Sequence, residues 1–203
     1  MKSVLISTQP KWCELIASGA KTIEVRKSAP KIETPFKCYI YCTLDGGIKG
    51  DRIVVDGKVG GAVCGKVIGE FVCDRVIKIE PFFTDDIKWF EKQSCLKSHE
   101  IVRYLNGFYG YGWHISDLKI YDKPRELSEF WAYNEEFHER YDSERDFCCY
   151  DGTNEYGESL TDCGDAYNNI LNCYRCWEEW SGWCHHVTRP PQSWCYVEEL
   201  QNV

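Results

Sequence analysis

Residues 9–26 constrain the fold of this chain more than any other stretch. Gln9-Pro10-Lys11-Trp12-Cys13-Glu14-Leu15-Ile16-Ala17-Ser18 reads as a short amphipathic helix. Pro10 suits its first turn, and Gly19 suits the left-handed stop after its last. Beyond Gly19 the pattern switches to period two, with Lys21, Ile23 and Val25 on one face and Thr22, Glu24 and Arg26 on the other. On that alternation Lys21 and Glu24 point apart unless a twist or bulge brings them together. A strand so rich in charge is either a solvated edge laced with salt bridges or the lining of a ligand cleft.

Strand signals recur at about 2–7, 21–26, 37–43, 51–55, 62–80, 112–121 and 193–199. Gly46-Gly47 and Asp56-Gly57 mark turns, and Gly65 and Gly69 mark bulges where a sheet bends. Thr84 to Lys92 reads as a short helix. Ser98 to Leu105 reads as another, stopped by Asn106-Gly107. Many antiparallel strands with a few short helices predict an α+β fold built on a small, partly open barrel. From Leu127 the period turns helical through Phe130, Trp131 and Phe137 to Tyr141.

The spacing Gly19-x-Lys21-x-x-Glu24-x-Arg26 resembles the signature of the ASCH domain, a branch of the PUA-like superfamily. Gly65-Lys66-Val67-Ile68-Gly69-Glu70-Phe71 resembles that family's central strand. Tyr111-Gly112-Trp113-His114-Ile115-Ser116-Asp117-Leu118, with Tyr121-Asp122-Lys123-Pro124 as its exit, resembles a late strand. Arg189-Pro190-Pro191-Gln192-Ser193-Trp194-Cys195-Tyr196-Val197 resembles the closing one. The resemblance implies a PUA-like barrel formed by 1–127 plus 188–203, interrupted by an insertion at 128–187. It implies a cleft beside Lys21 and Glu24, with Arg26 and Lys27 next to them and Trp12, Glu70, Trp113 and His114 as neighbours. The implied ligand is RNA, another single-stranded nucleic acid, or a modified nucleoside. For Trp12 and Trp113 plain core packing is the competing reading; for His114 it is a structural histidine.

Some relatives in that family are amidohydrolases acting on an acetylated cytidine through K-T-I-T, where this chain has Lys21-Thr22-Ile23-Glu24. The lysine is kept, but the nucleophile position holds Glu24. Thr22 lies two residues early, about 6.6 Å along a strand. Glu100 matches the family's later acid only loosely. If the protein is an enzyme, a hydrolase of a modified nucleoside or an RNase, Lys21 and Glu24 are the catalytic pair.

Charge divides the chain. Residues 1–125 carry 20 Lys and Arg against 15 Asp and Glu, while 126–203 carry 4 against 17, giving the overall −8. A cationic barrel suits phosphates; an acidic insertion gives solubility or docks a basic protein partner. No stretch has the length and apolarity of a membrane span, and the start alternates like a strand, so a cytoplasmic protein is expected, with no membrane partner. A reducing compartment does not favour disulfides, which makes 13 cysteines unusual. Cys148, Cys149, Cys163, Cys173, Cys176 and Cys184 cluster ahead of His185-His186. Cys173-Tyr174-Arg175-Cys176 is a knuckle able to give two thiolates to a structural zinc, with Cys163 and Cys184 as the preferred remaining ligands. Reduced packing thiols and a disulfide are the alternatives. No other cofactor is implied.

Overall fold

The computed structural model describes residues 1–44, 54–55, 58–59, 63–80, 87–133 and 186–200, with backbone alone at 54–55 and 58–59. In chain order the elements are β1 (Lys2–Thr8), α1 (Pro10–Ala17), β2 (Ile23–Arg26), β3 (Phe36–Cys42), β4 (Val54–Val55), β5 (Lys58–Val59), β6 (Val67–Cys73), β7 (Val76–Ile79), α2 (Ile87–Ser94), α3 (Ser98–Tyr104), β8 (Gly110–His114), β9 (Ser116–Arg125) and β10 (Trp194–Glu198). A 3-10 turn at Leu127–Glu129 follows β9.

Five strands form one sheet in the order β10-β1-β3-β6-β9, and three form another in the order β2-β8-β7. β1 runs antiparallel to β10 and parallel to β3, so the start and the late strand of the barrel half share one sheet. The chain crosses between sheets at Ile115, whose N–H donates to Thr22 O at 2.9 Å. Neither sheet closes on itself among the described residues. The fold is α+β and partly open, as the strand pattern predicts.

Alternation explains the packing. Cys38, Ile40 and Cys42 of β3 join Val4, Ile6, Phe71 and Trp113 in one buried cluster. Tyr39, between them, sits edge-on to Phe130 with ring centroids 5.0 Å apart. A second cluster of Ile23, Val25, Ile79, Phe90, Ile101 and Leu105 fills the space between β2, β7 and the helices α2 and α3. Each such side chain stabilises the fold by about 1.5–3 kcal/mol through removal from water. Gly69 lets β6 and β9 approach, because a Cβ there would lie 2.4 Å from Lys119 O.

The chain separates into two compact units, Met1–Phe130 with Val187–Val203, and Trp131–His186. Within the second, the described residues Trp131 and His186 form an isolated antiparallel bridge with their rings 3.7 Å apart. The expected helix from Leu127 does not extend through its first described residues. After one 3-10 turn, Phe130 is extended, and its carbonyl accepts the Val187 N–H at 2.8 Å. Burial of Phe130 against Tyr39 overrides the helical period there. The rest of that expectation, 134–141, and the zinc ligands Cys163, Cys173, Cys176 and Cys184 lie outside the described residues. No helix among the described residues is long and apolar enough to cross a membrane.

Candidate functional site

The strand expected at 21–26 begins only at Ile23, and the difference brings Lys21 and Glu24 together. Gly19, at φ 73°, ends α1 in the left-handed region that glycine favours. Lys21 N–H then donates to Leu15 O at 2.8 Å, and Thr22 N–H to Gln93 O at 2.8 Å. The Thr22 hydroxyl also bonds the Gln93 side chain. Clamped between α1 and α2, Lys21 escapes the strand alternation. Its Nζ lies 3.3 Å from Glu24 Oε2 and donates to Ser94 O at 2.8 Å. Ser94 ends α2, where exposed carbonyls favour a cation. The other Glu24 oxygen, Oε1, is 2.9 Å from Arg26 Nη2. Arg26 Nη2 also donates to Ser7 O at 2.9 Å and Thr8 Oγ1 at 3.2 Å, and Nη1 reaches Ser193 Oγ at 3.4 Å.

This is not a solvated edge strand. Lys21, Glu24 and Arg26 are 2%, 7% and 5% exposed. β2 is buried on both faces: Ile23 and Val25 enter the cluster against α2 and α3, while Glu24 lies directly opposite Trp113 of β8. Buried charges are tolerable only when partners replace water, and here one carboxylate joins two cations. Two donors stay unmatched among the described residues. Arg26 Nε and the Trp113 indole Nε1 are both buried without an acceptor. Such groups are few in native proteins, and a bound ligand is one of the explanations they invite.

Rings and cations surround this centre. Half-buried Trp12 has Lys11 Nζ 4.5 Å and Lys21 Nζ 5.3 Å from its ring centroid. Exposed Lys27 lies 5.3 Å over the Tyr104 ring. Burial raises the Tyr104 hydroxyl above its ordinary pKa, and the adjacent Arg26 charge and a hydrogen bond with the Arg26 side chain work against that rise. Trp194 packs 5.9 Å from Trp113 and donates through Nε1 to Ser28 Oγ at 3.1 Å.

Glu70 and His114 lie apart from this group. Glu70 alternates with interior Phe71 and meets Tyr121 OH at 2.6 Å and Lys37 Nζ at 3.8 Å. His114 pairs across the sheet with Ile23, on the face opposite Glu24, and its Nδ1 is 2.6 Å from Asp74 Oδ1. The hydrogen bond to His114 lowers the Asp74 pKa. Thus Trp12, Lys21, Glu24, Arg26, Lys27 and Trp113 fall in one region, while Glu70 and His114 fall in two others. Sequence reasoning passed over Thr8, Ser94, Tyr104 and Ser193. Ser94 contributes a backbone carbonyl, which no side-chain pattern reveals; Tyr104 lies three residues after apolar Ile101 and directly before Leu105.

Cys13 of α1, Cys42 of β3 and Cys64 are buried together, and the Cys42 sulfur meets both of the others. Cys42 Sγ lies 3.8 Å from Cys64 Sγ, and Cys13 Sγ donates to Thr8 O at 3.4 Å. Burial pushes the Cys13 thiol up, whereas hydrogen bonding from Cys13 lowers Cys42. Among the described residues no group of three or more His, Cys, Asp or Glu is placed to hold a metal ion.

Fold and site together define a small, partly open α+β domain with a buried Lys–Glu–Arg cluster ringed by aromatic side chains. No family model matches the sequence, and no curated protein matches it. Among solved structures the chain is similar to ASCH from Zymomonas mobilis, with TM-score 0.45 and 20% identity over 62% of this chain and 73% of that one. A serine-to-alanine variant of that protein gives TM-score 0.46 and 19% identity over 62% and 74%. A tyrosine-to-phenylalanine variant gives 0.47 and 19% over 63% and 77%. Likeness at this level says nothing of ligand or reaction.

Proposed function

We propose that the domain binds single-stranded nucleic acid, RNA before DNA, and receives one base or modified base beside Arg26. The observation behind this reading is the pair of buried donors, Arg26 Nε and Trp113 Nε1, without acceptors among the described residues and next to stacking rings. A base edge presents acceptors to such donors. Trp12 and Tyr104 present faces to a splayed base, and Lys11 and Lys27 supply charge for its phosphates. The excess of Lys and Arg in 1–125 agrees. The preference for RNA follows the motif resemblance.

A hydrolase using Lys21 and Glu24 has their 3.3 Å contact in its favour and little else. Lys21 Nζ is already shared between Ser94 O and Glu24, and both Glu24 oxygens face cations. The Thr22 hydroxyl is tied to Gln93, and Glu100 accepts the Lys97 N–H at 2.8 Å as a helix cap. These contacts occupy the groups a hydrolytic step would need.

Fluorescence anisotropy with RNA and DNA oligonucleotides at low salt tests the binding reading. The expected result is RNA affinity that falls linearly on a log–log salt plot. Arg26→Lys keeps the charge but removes the Nε donor, and Trp12→Ala removes a stacking face; each should weaken binding. No binding by any oligonucleotide at low salt would falsify the reading. Turnover of an acylated nucleoside, lost on Glu24→Gln, would favour the hydrolase instead.

A further inference from the structure

Most large apolar side chains of the barrel unit are buried, but three aromatic rings near the Arg26 end are not. Phe108 is 71% exposed, Tyr109 55% and Tyr104 38%. Phe108 and Tyr109 stand on the short turn between α3 and β8. Asn106 and Gly107 there take φ of 54° and 77°, which reverses the chain and lifts the next two residues out. The turn is fixed rather than loose. Gly107 N–H donates to Val102 O at 2.9 Å, Phe108 N–H donates to Leu105 O at 3.1 Å, and buried Leu105 anchors the base. Exposed rings on a fixed turn lose little conformational freedom when something stacks on them.

Cations accompany these rings. Lys78 Nζ lies 5.0 Å over Tyr109 and Lys27 Nζ 5.3 Å over Tyr104. Tyr109 meets Tyr111 edge-on at 6.0 Å. Tyr111 stands opposite both Arg26 and Lys78 in the sheet, so one transverse row runs from buried Arg26 through Tyr111 to Lys78. Glu80 pairs with Lys78 at 2.8 Å, but both are half exposed, and such a surface pair is worth little against a competing phosphate.

We propose that Phe108 and Tyr109, with Lys78, continue outward from Tyr104 and Lys27 as a second stacking surface for the nucleotides adjoining the one held beside Arg26. This deepens the binding reading and rests on it. The ligand is then a single strand several nucleotides long rather than a free nucleoside. Exposed rings with ammonium groups beside them fit such a strand, since every base has a face to stack and every link a phosphate to neutralise.

The test uses the full chain, the four nucleoside monophosphates, and RNA octamers of uridine and of adenosine. Phe108→Ala and Tyr109→Ala change exposed rings, so both variants should melt like the parent. Octamer affinity should fall by about 10-fold for each ring removed, with monophosphate affinity unchanged. Phe108→Trp should retain octamer binding, which separates stacking from a general effect on the turn. If octamers bind the parent and both alanine variants equally well, this inference is overturned and the Arg26 reading stands; the rings are then free for a protein partner. If octamers fail to bind the parent at low salt, the Arg26 reading fails and this inference falls with it.

Discussion

Glu24 sets the electrostatics of the site, because each of its oxygens meets a different buried cation. Removing it leaves Lys21 and Arg26 facing one another with no counter-charge, and the cost of breaking a buried pair is about 3–5 kcal/mol. Glu24→Ala should therefore lower the free energy of urea unfolding by that order, with Glu24→Gln costing less because the amide oxygen can still accept one bond. An unfolding midpoint unchanged by Glu24→Ala would show the cluster to be wet and weakly coupled. The motif Gly19-x-Lys21-x-x-Glu24-x-Arg26 was legible in the sequence, but the contact between Lys21 and Glu24 was not. It depends on Gln93 and Ser94, some seventy residues away, which take Thr22 and Lys21 out of the strand. The unmatched indole N–H of Trp113 was equally hidden, since period-two spacing places a side chain on a face without saying what meets its polar end.

Among the elements, β2 is the one whose two faces do different work. Ile23 and Val25 secure it to α2 and α3, and Glu24 and Arg26 turn toward Trp113 and the β1 carbonyls. Strands β1, β3, β6 and β10 were legible because alternation and β-branched or aromatic content agree over several residues. The run from Leu127 misled because Leu127 and Phe130 obey a helical period while Phe130 packs on Tyr39 and gives its carbonyl to Val187. Gly69 was read as a bulge, and register does slip between Val67 and Gly69 against β9. The tighter constraint there is the backbone of Lys119. Gly69→Ala should destabilise the five-stranded sheet by about 1–3 kcal/mol, because the clash is with main chain that cannot swing aside. Thermal unfolding checks it; a variant melting with the parent would mean that β9 can shift at no cost.

Across the whole molecule, buried phenols and thiols make the fold sensitive to alkali. Burial raises Tyr39, Tyr121 and Tyr41 above their ordinary 10.0, with donation to Glu70 adding to the rise at Tyr121. Burial likewise pushes Cys73 up from 9.0 to about 12 and Cys195 to about 11. The unfolded chain loses these protons first, so it binds fewer than the native state above pH 9, and unfolding free energy falls as pH rises. That stability is fully present below the unfolded values and is lost as pH climbs toward the folded ones; the lowered Cys42 opposes it weakly. Denaturant titrations from neutrality to strong alkali should show a steady decline above the thiol range, and a flat profile there would contradict it. The thiols at 163–184 follow another expectation. If Cys163, Cys173, Cys176 and Cys184 hold zinc, elemental analysis of reduced protein should give about one zinc per chain. Stripping that zinc with a chelator should leave Arg26-dependent binding intact. A trace amount of zinc would return those cysteines to packing or disulfide roles. The central claim, that Arg26 and Trp113 offer their spare donors to a base, is tested most directly by nitrogen–proton NMR of the labelled chain during titration with an RNA octamer. The Arg26 Nε–H and Trp113 Nε1–H signals should both move downfield as each gains an acceptor, saturating with the binding curve. RNA that binds while both signals stay in place would contradict the account.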